Sequence, residues 1–326
     1  MKSALITGAK GQDAFYLTRF LLGIDYKVVL TSRKLSSSFY NNFCNELGDK
    51  AIINTNVFIV DNNILKNNEV YNLIEEHKID EIYNLGGHSS VASSFDINKS
   101  NVIDEPLYVF NKLIDCIKST KKEIRLFQAS SSEMFKDAGD DILDELSEIK
   151  ASSPYAEGKL RIHEKLKEYR TESGLYLVSG IMFNHESPRR PDEYLFSQIS
   201  KKVIEISRGL RENLYISNLN TVRDWGYSPE FVEAMWKTLN THSPEDYIIS
   251  TGKSYSVEEI INYSFKLFDL DYREYTIEKF NKLREYDVLK KYSNPEKIYS
   301  KLSWKAKYDG LDVIGLIINE KSKNYK

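Results

Sequence analysis

The chain has 326 residues, 41% hydrophobic and 29% charged, enough apolar material to bury one large core or two unequal ones. Its 45 lysines and arginines nearly balance 48 aspartates and glutamates, leaving a formal net charge of -3, so neither nucleic acid nor an anionic membrane surface is an expected partner. The opening apolar run is broken by Gly8, Lys10 and Asp13, and no later stretch could span a bilayer. Cys44 and Cys116 lack paired spacing, so a cytoplasmic chain without a disulfide framework or structural zinc is expected.

Short apolar runs alternate with amphipathic stretches from the N-terminus. "SALIT", "VVLTS", "VFIV", "EIYNL", "RLFQAS" and "YLVSGIMF" read as strands, several apolar almost throughout, as strands buried on both faces are. Between them "DAFYLTRFLLG", "NEVYNLIEEH", "PLYVFNKLIDCIKS" and "AEGKLRIHEKLKEYRTESG" carry apolar residues at helical spacing, and the first and last run into a glycine at the C-terminal end. The pattern predicts an α/β fold with a doubly wound parallel sheet. After about Asn184 the alternation fades: "NHESPRRPDEY" reads as a loop, helices are expected around Ile199 to Arg208 and Phe231 to Leu239, and Ser256 with Glu259 makes a capping box for another. A smaller, mixed C-terminal lobe follows. Residues 1–182 with about 220–252 are assigned to a dinucleotide-binding domain, and about 183–219 with 253–326 to a substrate lobe. His77, His88, His163, His185 and His242 show no metal-ligand spacing, and no metal is expected.

"SALITGAKGQDAFYL" sets Gly8 and Gly11 between the first strand and first helix, with Ala14 at a third close-packing position. Gly8 permits a tight turn, Gly11 lets backbone approach a pyrophosphate, and the helix N-terminus offers its amides; turn glycines of any α/β protein are the plainer alternative. "TSRKLSSSF", after the second strand, lacks an acid for a ribose 2′-hydroxyl and offers Arg33 and Lys34, suited to a 2′-phosphate or to a solvated turn. NADP is therefore expected over NAD. Asp61 is placed either to accept from an adenine amino group or to cap the next helix.

"SPYAEGK" puts Tyr155 and Lys159 four apart, on one face of a helix that starts at the proline. An ammonium beside a phenol favours the phenolate, which makes Tyr155 a general base. "SSSEMF" adds Ser131 and Glu133 at the end of a strand. Glu133 is either a working carboxylate or a strand-end glutamate that faces solvent or pairs with a lysine.

On "ALITGAKGQDAFYL", "DEIYNLGGHSSVASSF", "LFQASSSEMF", "SPYAEGK", "GIMFNHESPRR" and "RDWGYSPEFVEAMW", with "LREYD" and "LSWK" as looser matches, the chain resembles the extended short-chain dehydrogenase/reductases. Within them it resembles the GDP-mannose 4,6-dehydratase family. The resemblance implies a Rossmann-type fold, a nucleotide-sugar substrate, a homodimer or homotetramer, and elimination of water after oxidation at carbon 4. Tyr155, Lys159, Ser131 and Glu133 would be catalytic. Gly8, Lys10, Gly11, Gln12, Asp13, Arg33, Asp61, Asn62, Leu85, Gly86, Ser89, His185 and Arg190 would contact the cofactor, together with Tyr155 and Lys159. Ser89, Ser132, Asn184, Gln198, Arg223 and Arg284 would contact substrate. For Arg223 the alternative is an ion pair with Asp224, for His185 a core histidine, and Trp225 reads as packing. The chain departs from the family where Ser131 replaces threonine, where "GGHSSVASSF" replaces an alanine-alanine-glutamine-serine run, at Ser100 where a tyrosine is usual, and at Gln198 where a pyrophosphate-binding lysine is usual. The alternatives weighed are a GDP-sugar 4-dehydrogenase, epimerase or reductase of the same superfamily, and a non-catalytic NADP-binding protein.

Overall fold

The computed structural model of the chain describes residues 1–32, 36–48, 56–61, 69–135, 139–210, 212–279 and 288–324. In chain order it runs β1 (Ser3–Thr7), α1 (Gln12–Leu22), β2 (Lys27–Ser32), α2 (Ser37–Leu47), β3 (Val57–Asp61), α3 (Glu69–Glu76) and β4 (Glu81–Asn84). A π-helical turn at Ser100–Asp104 leads into α4 (Glu105–Ser119), followed by β5 (Arg125–Ser131), a 3-10 turn at Ser132–Met134, β6 (Ile142–Leu143), α5 (Pro154–Ser173) and β7 (Leu177–Met182). The rest comprises β8 (Asn184–Glu186), α6 (Leu195–Ser207), β9 (Leu214–Ile216), β10 (Val222–Tyr227), α7 (Ser228–Leu239), β11 (Asp246–Ile249), β12 (Ser254–Ser256), α8 (Val257–Lys266), β13 (Thr276–Glu278), β14 (Tyr292–Ser293), α9 (Glu296–Leu302) and α10 (Gly310–Asn324).

The expected α/β architecture is present. Seven strands form one sheet in the order β11-β7-β5-β4-β1-β2-β3, and β3, β2, β1, β4 and β5 pair in parallel. The chain winds outward from β1 to β3, then returns to lay β4 on the other side of β1. Strand order therefore reverses between β1 and β4, and the connections leaving their C-terminal ends part to opposite faces, opening a crevice. Every residue of β1 and β4 is buried, which is why Ala4, Leu5 and Ile6, and Ile82 with Tyr83, read as apolar throughout rather than alternating, with polar residues only at the strand ends. On one face Phe110, Leu113, Ile114 and Ile117 of α4 recur at i, i+3, i+4 and i+7 and pack with Ile162 and Leu166 of α5 and Val70 and Ile74 of α3 over Leu5, Ile82 and Leu126.

The chain forms two compact units: Met1–Met134 with Ile149–Ile181 and Val232–Tyr247, and Phe135–Glu148 with Met182–Phe231 and Ile248–Lys326. The second has its own core of Phe196, Ile199 and Val203 from α6, Ile260, Ile261 and Phe265 from α8, and Val313, Ile314 and Ile317 from α10. Trp225 is buried in that core, its ring 5.3 Å from Phe196. The capping box of α8 is formed as its sequence indicates, Ser256 and Glu259 each satisfying the other's backbone amide.

Three local readings change. Asn184–Glu186, read as part of a loop, is strand β8, paired in parallel with Trp225–Tyr227 of β10; three residues are too few to show a period. Gly174 closes α5 in the left-handed conformation (φ 62), but Gly23 after α1 stays right-handed (φ -65) and Asp25 takes the positive φ instead. Helix α2, capped by Ser36, is an addition to the expected elements: Tyr40, Phe43, Cys44 and Leu47 recur at i, i+3, i+4 and i+7, a stripe diluted by the serines and asparagines around it.

One close approach sets the height of α5. A Cβ on Gly158 would sit 2.5 Å from the carbonyl oxygen of Val102 in the π-helical turn, and that neighbour is backbone, which cannot step aside as a side chain can. Gly158→Ala is therefore expected to destabilise the protein by about 1–3 kcal/mol through overpacking, measured as a lower midpoint in thermal or urea denaturation. An unchanged midpoint would show that the π-helical turn yields freely.

Candidate active site

Gly8 leaves β1 with φ +78, and its amide donates to the carbonyl of Thr31 at 2.9 Å. A Cβ there would lie 2.9 Å from both Cα and N of Gly86, so the turns after β1 and β4 touch backbone to backbone at the strand-order reversal. Gly11 is the N-cap of α1 and supplies no side-chain acceptor, so the amides of the first turn are not closed off by a cap. Lys10 and Gly11 are exposed, Asp13 is half-buried and Gln12 is buried. Leu85 and Gly86 are half-buried and Ser89 exposed. A positive-φ glycine, a helix N-terminus capped by glycine and a crevice between β1 and β4 are what a dinucleotide pyrophosphate requires, and the residues present fit such a group.

Helix α5 starts on a cap. Ser153 Oγ accepts from the Ala156 amide at 3.1 Å and Pro154 occupies the first turn, which places Tyr155 at the mouth of the helix and Lys159 one turn deeper. Lys159 Nζ donates to the Ala129 carbonyl of β5 at 2.8 Å and stands 5.8 Å from the Tyr155 ring centre. Burial pushes the Lys159 ammonium down to about 8, against the opposing pull of the Asp13 carboxylate. Ala129 lies two residues before Ser131, so this single bond brings α5 to the end of β5. There Ser131 and Ser132 are buried, Glu133 is half-buried, and Ser131 Oγ accepts from the Glu133 amide at 3.2 Å. The turn that carries Glu133 packs against α5. Tyr155, Lys159, Ser131 and Glu133 are thus brought to one place by one helix and one strand end.

Sequence reasoning missed what supports them. Ser94, fully buried, donates to the Val91 carbonyl at 2.6 Å and meets the Tyr155 amide at 3.4 Å. One turn beyond Lys159 on the same face, His163 Nδ1 lies 2.8 Å from Ser179 Oγ, which donates to Ser130 Oγ at 2.8 Å. Burial pushes the His163 imidazole down, opposed by Asp246, which disfavours its charged form. The i, i+4, i+8 spacing of Tyr155, Lys159 and His163 was the available signal.

The second unit holds the other expected contacts. Asn184 and His185 are half-buried on β8, and His185 Nδ1 donates to the Phe183 carbonyl at 2.8 Å while its ring stacks on Phe231 at 4.9 Å. Arg190 lies 3.6 Å over the Tyr194 ring, with Nε 3.4 Å from Glu186 Oε2. Gln198 is exposed on α6 and donates to the Glu193 carbonyl at 2.9 Å. Arg223 donates to the carbonyls of Val222, Leu289 and Val288 at 2.8, 3.1 and 2.7 Å. The neighbouring Asp224 carboxylate accepts from the Thr251 and Gly252 amides and the Thr251 and Ser293 hydroxyls at 2.7–3.1 Å. Burial pushes the Asp224 carboxyl up and those donors pull it back. Arg33, Asn62, Arg284 and the side chain of Asp61 lie outside the described residues.

The family model described as GDP-mannose 4,6 dehydratase matches residues 5–315. The chain is 33% identical to GDP-mannose 4,6-dehydratase of Vibrio cholerae over 267 residues, 81% of this chain and 72% of that one. It is 32% identical to GDP-mannose 4,6 dehydratase 2 of Arabidopsis thaliana over 98% of this chain and 86% of that one. In fold it is similar to the dTDP-glucose 4,6-dehydratase of Bacillus anthracis, with a TM-score of 0.85 at 18% identity, covering 99% of this chain and 97% of that one. A glycine cradle at the strand-order reversal, a tyrosine and lysine on the helix beside it, and a family match over nearly the whole length converge: the chain belongs to the GDP-mannose 4,6-dehydratase family.

Proposed function

We propose that the protein is a nucleotide-sugar 4,6-dehydratase acting on GDP-mannose or a close GDP-sugar such as a GDP-linked heptose, with NADP as its cofactor. The carrying observation is Glu133, a half-buried carboxylate two residues past Ser131 on a turn packed against the helix of Tyr155 and Lys159. A 4-epimerase, 4-reductase or 4-dehydrogenase has no use for a carboxylate there; a dehydratase must both remove a proton and release a hydroxyl. NADP is preferred on the sequence of the turn after β2, which offers Arg33 and Lys34 and no acid. Cytoplasmic action as a homodimer or homotetramer accompanies this reading.

Water cannot leave carbons 5 and 6 of a hexose until carbon 4 is a ketone, because only then is the hydrogen on carbon 5 acidic. Tyr155, as the phenolate that the Lys159 ammonium favours, takes the proton of the 4-hydroxyl, and Ser131 hydrogen-bonds the same oxygen. When bound, the nicotinamide supplies the oxidation at carbon 4 and the matching reduction at carbon 6, so no cofactor is consumed. Glu133 passes the carbon 5 proton to the departing 6-hydroxyl, so one water is lost, and the proton that Tyr155 took returns to carbon 5 as carbon 6 is reduced, which leaves both residues as they began. Gly8, Gly11, Gln12, Gly86 and Lys159 would hold the cofactor; Asn184, Gln198 and Arg223 would contact the nucleotide-sugar, guanidinium forks being suited to phosphate oxygens.

Incubation with GDP-mannose and NADP is expected to give a product lighter by one water in mass spectrometry. A product of unchanged mass would instead assign epimerisation, and loss of two hydrogens a dehydrogenase. Glu133→Gln is expected to slow dehydration by about 10²–10⁴-fold, and an undiminished rate would remove the proposed role of the carboxylate.

The lowered Lys159 value also has a stability consequence. Between about 8 and 10.5 the unfolded chain binds the proton that the folded site has released, so stability rises with pH through that window and the full penalty is present below it. The penalty is at most about 3 kcal/mol, solvent screening of a half-buried residue reducing it. Lys159→Met is therefore expected to abolish turnover yet raise the thermal midpoint at pH 7, with the gain shrinking above pH 8. A midpoint lowered at pH 7 would show that the ammonium stabilises the fold.

A further inference from the structure

Thr7, Asn84 and Gln128 are direct partners in the register of β1, β4 and β5, so their side chains form one row across three central strands. They are 2%, 2% and 1% exposed, and the row before them is Ile6, Tyr83 and Phe127. Three buried polar side chains in a row across the sheet, at the C-terminal ends of β1 and β4, cost desolvation that apolar residues would avoid, and the cost is tolerable only if each polar group is bonded.

The bonds form a single directed relay. The Gly86 amide donates to Thr7 Oγ1 at 2.9 Å, and the Thr7 hydroxyl donates to Asn84 Oδ1 at 2.8 Å. Asn84 Nδ2 donates to Gln128 Oε1 at 2.7 Å, and Gln128 Nε2 to the Ala129 carbonyl at 3.1 Å. That same carbonyl accepts from Lys159 Nζ at 2.8 Å. A backbone amide can only donate, so the Thr7 hydroxyl must pass its own proton onward, which fixes the orientation of the Asn84 amide and through it that of Gln128. One end of the relay is the turn that touches Gly8; the other is the oxygen that holds the lysine of α5.

We propose that Asn84 and Gln128 are positioning residues for the oxidation step: with Thr7 they lock the Gly86 turn, which would help to hold the cofactor, and the Ala129 carbonyl, which aims Lys159, into one register. The inference rests on the dehydratase reading of Tyr155 and Lys159. It differs from a packing role because it ties two loci on separate strands. Removing any link releases both.

The test uses Gln128→Leu, Thr7→Val, their double mutant and the conservative Thr7→Ser, with NADPH affinity read by fluorescence titration and GDP-mannose turnover read as kcat and KM on the folded fraction. Gln128→Leu is expected to weaken NADPH binding and lower kcat by about tenfold each, the worth of about one hydrogen bond, with KM for GDP-mannose within about twofold. Thr7→Val, which does not touch Lys159, is expected to do the same; the double mutant is expected to be no worse than either single variant, and Thr7→Ser to recover both values within about threefold. Unchanged NADPH affinity in Gln128→Leu, an unchanged kcat in Thr7→Val, or losses that multiply in the double mutant would overturn the relay. Should Gln128→Leu not fold, the Thr7→Val and Thr7→Ser pair decides it. A wild-type protein that binds NADPH but does not dehydrate GDP-mannose ends the functional reading while the NADPH affinities still judge the relay, and one that binds neither NADPH nor NADH ends both.

Discussion

A lysine ammonium that donates to a strand carbonyl from a half-buried side chain is the constraint around which the first unit is arranged. Charge held away from water is unfavourable unless it is bonded, and here one bond is to the Ala129 oxygen at 2.8 Å. For that bond to form, α5 must run close to β5 at its first turns. The Ser153 cap and Pro154 fix where the helix begins, and the missing side chain of Gly158 lets the Val102 carbonyl approach the helix on its other side. The π-helical turn at Ser100–Asp104 belongs to the same arrangement, since it presents that carbonyl. Tyr155 then follows from Lys159 by helical geometry alone.

The second constraint is the contact of two backbones. Gly8 approaches Gly86 so closely that the turn after β1 could carry no side chain directed at the turn after β4, and it does so where the strand order reverses. The glycine cradle and the lysine site are therefore not independent features of the chain. They stand at the C-terminal ends of β1, β4 and β5, adjacent in the sheet, and a polar row joins them beneath the surface. Asp13, on the first turn of α1, acts on Lys159 through space and keeps it charged against its burial. A cofactor cradle that helps to hold the charge of a catalytic lysine is an economical consequence of placing α1 and α5 over neighbouring strand ends.

Much of this was legible in the letters, and the limits have physical causes. The central strands announced themselves because strands buried on both faces leave short apolar runs without alternation, and α4 because its apolar residues recur at helical spacing. Tyr155 and Lys159 were legible because their partnership is local to one helix. Strand β8 was not, being three residues long and held by pairing with β10, forty residues away on the order of the chain. Asn84 and Gln128 were visible as polar letters ending "EIYN" and "RLFQ", yet only strand register places them in one row. Ser94 and His163 were hidden for the same reason, since their partners come from distant segments.

Neighbouring letters can also do opposite work, as Arg223 and Asp224 do in the second unit. A reading along the sequence offers them as an ion pair, but successive residues of a strand face opposite sides. Asp224 turns inward and accepts from Thr251, Gly252 and Ser293, tying β10 to the segment after β11 and to β14. Arg223 spends donors on the carbonyls of residues 222, 288 and 289. Strand alternation thus sends two adjacent letters to different partners, Asp224 to amides and hydroxyls of the segments packed inside and Arg223 to backbone carbonyls of residues 222, 288 and 289, so adjacency in the sequence is no guide to pairing.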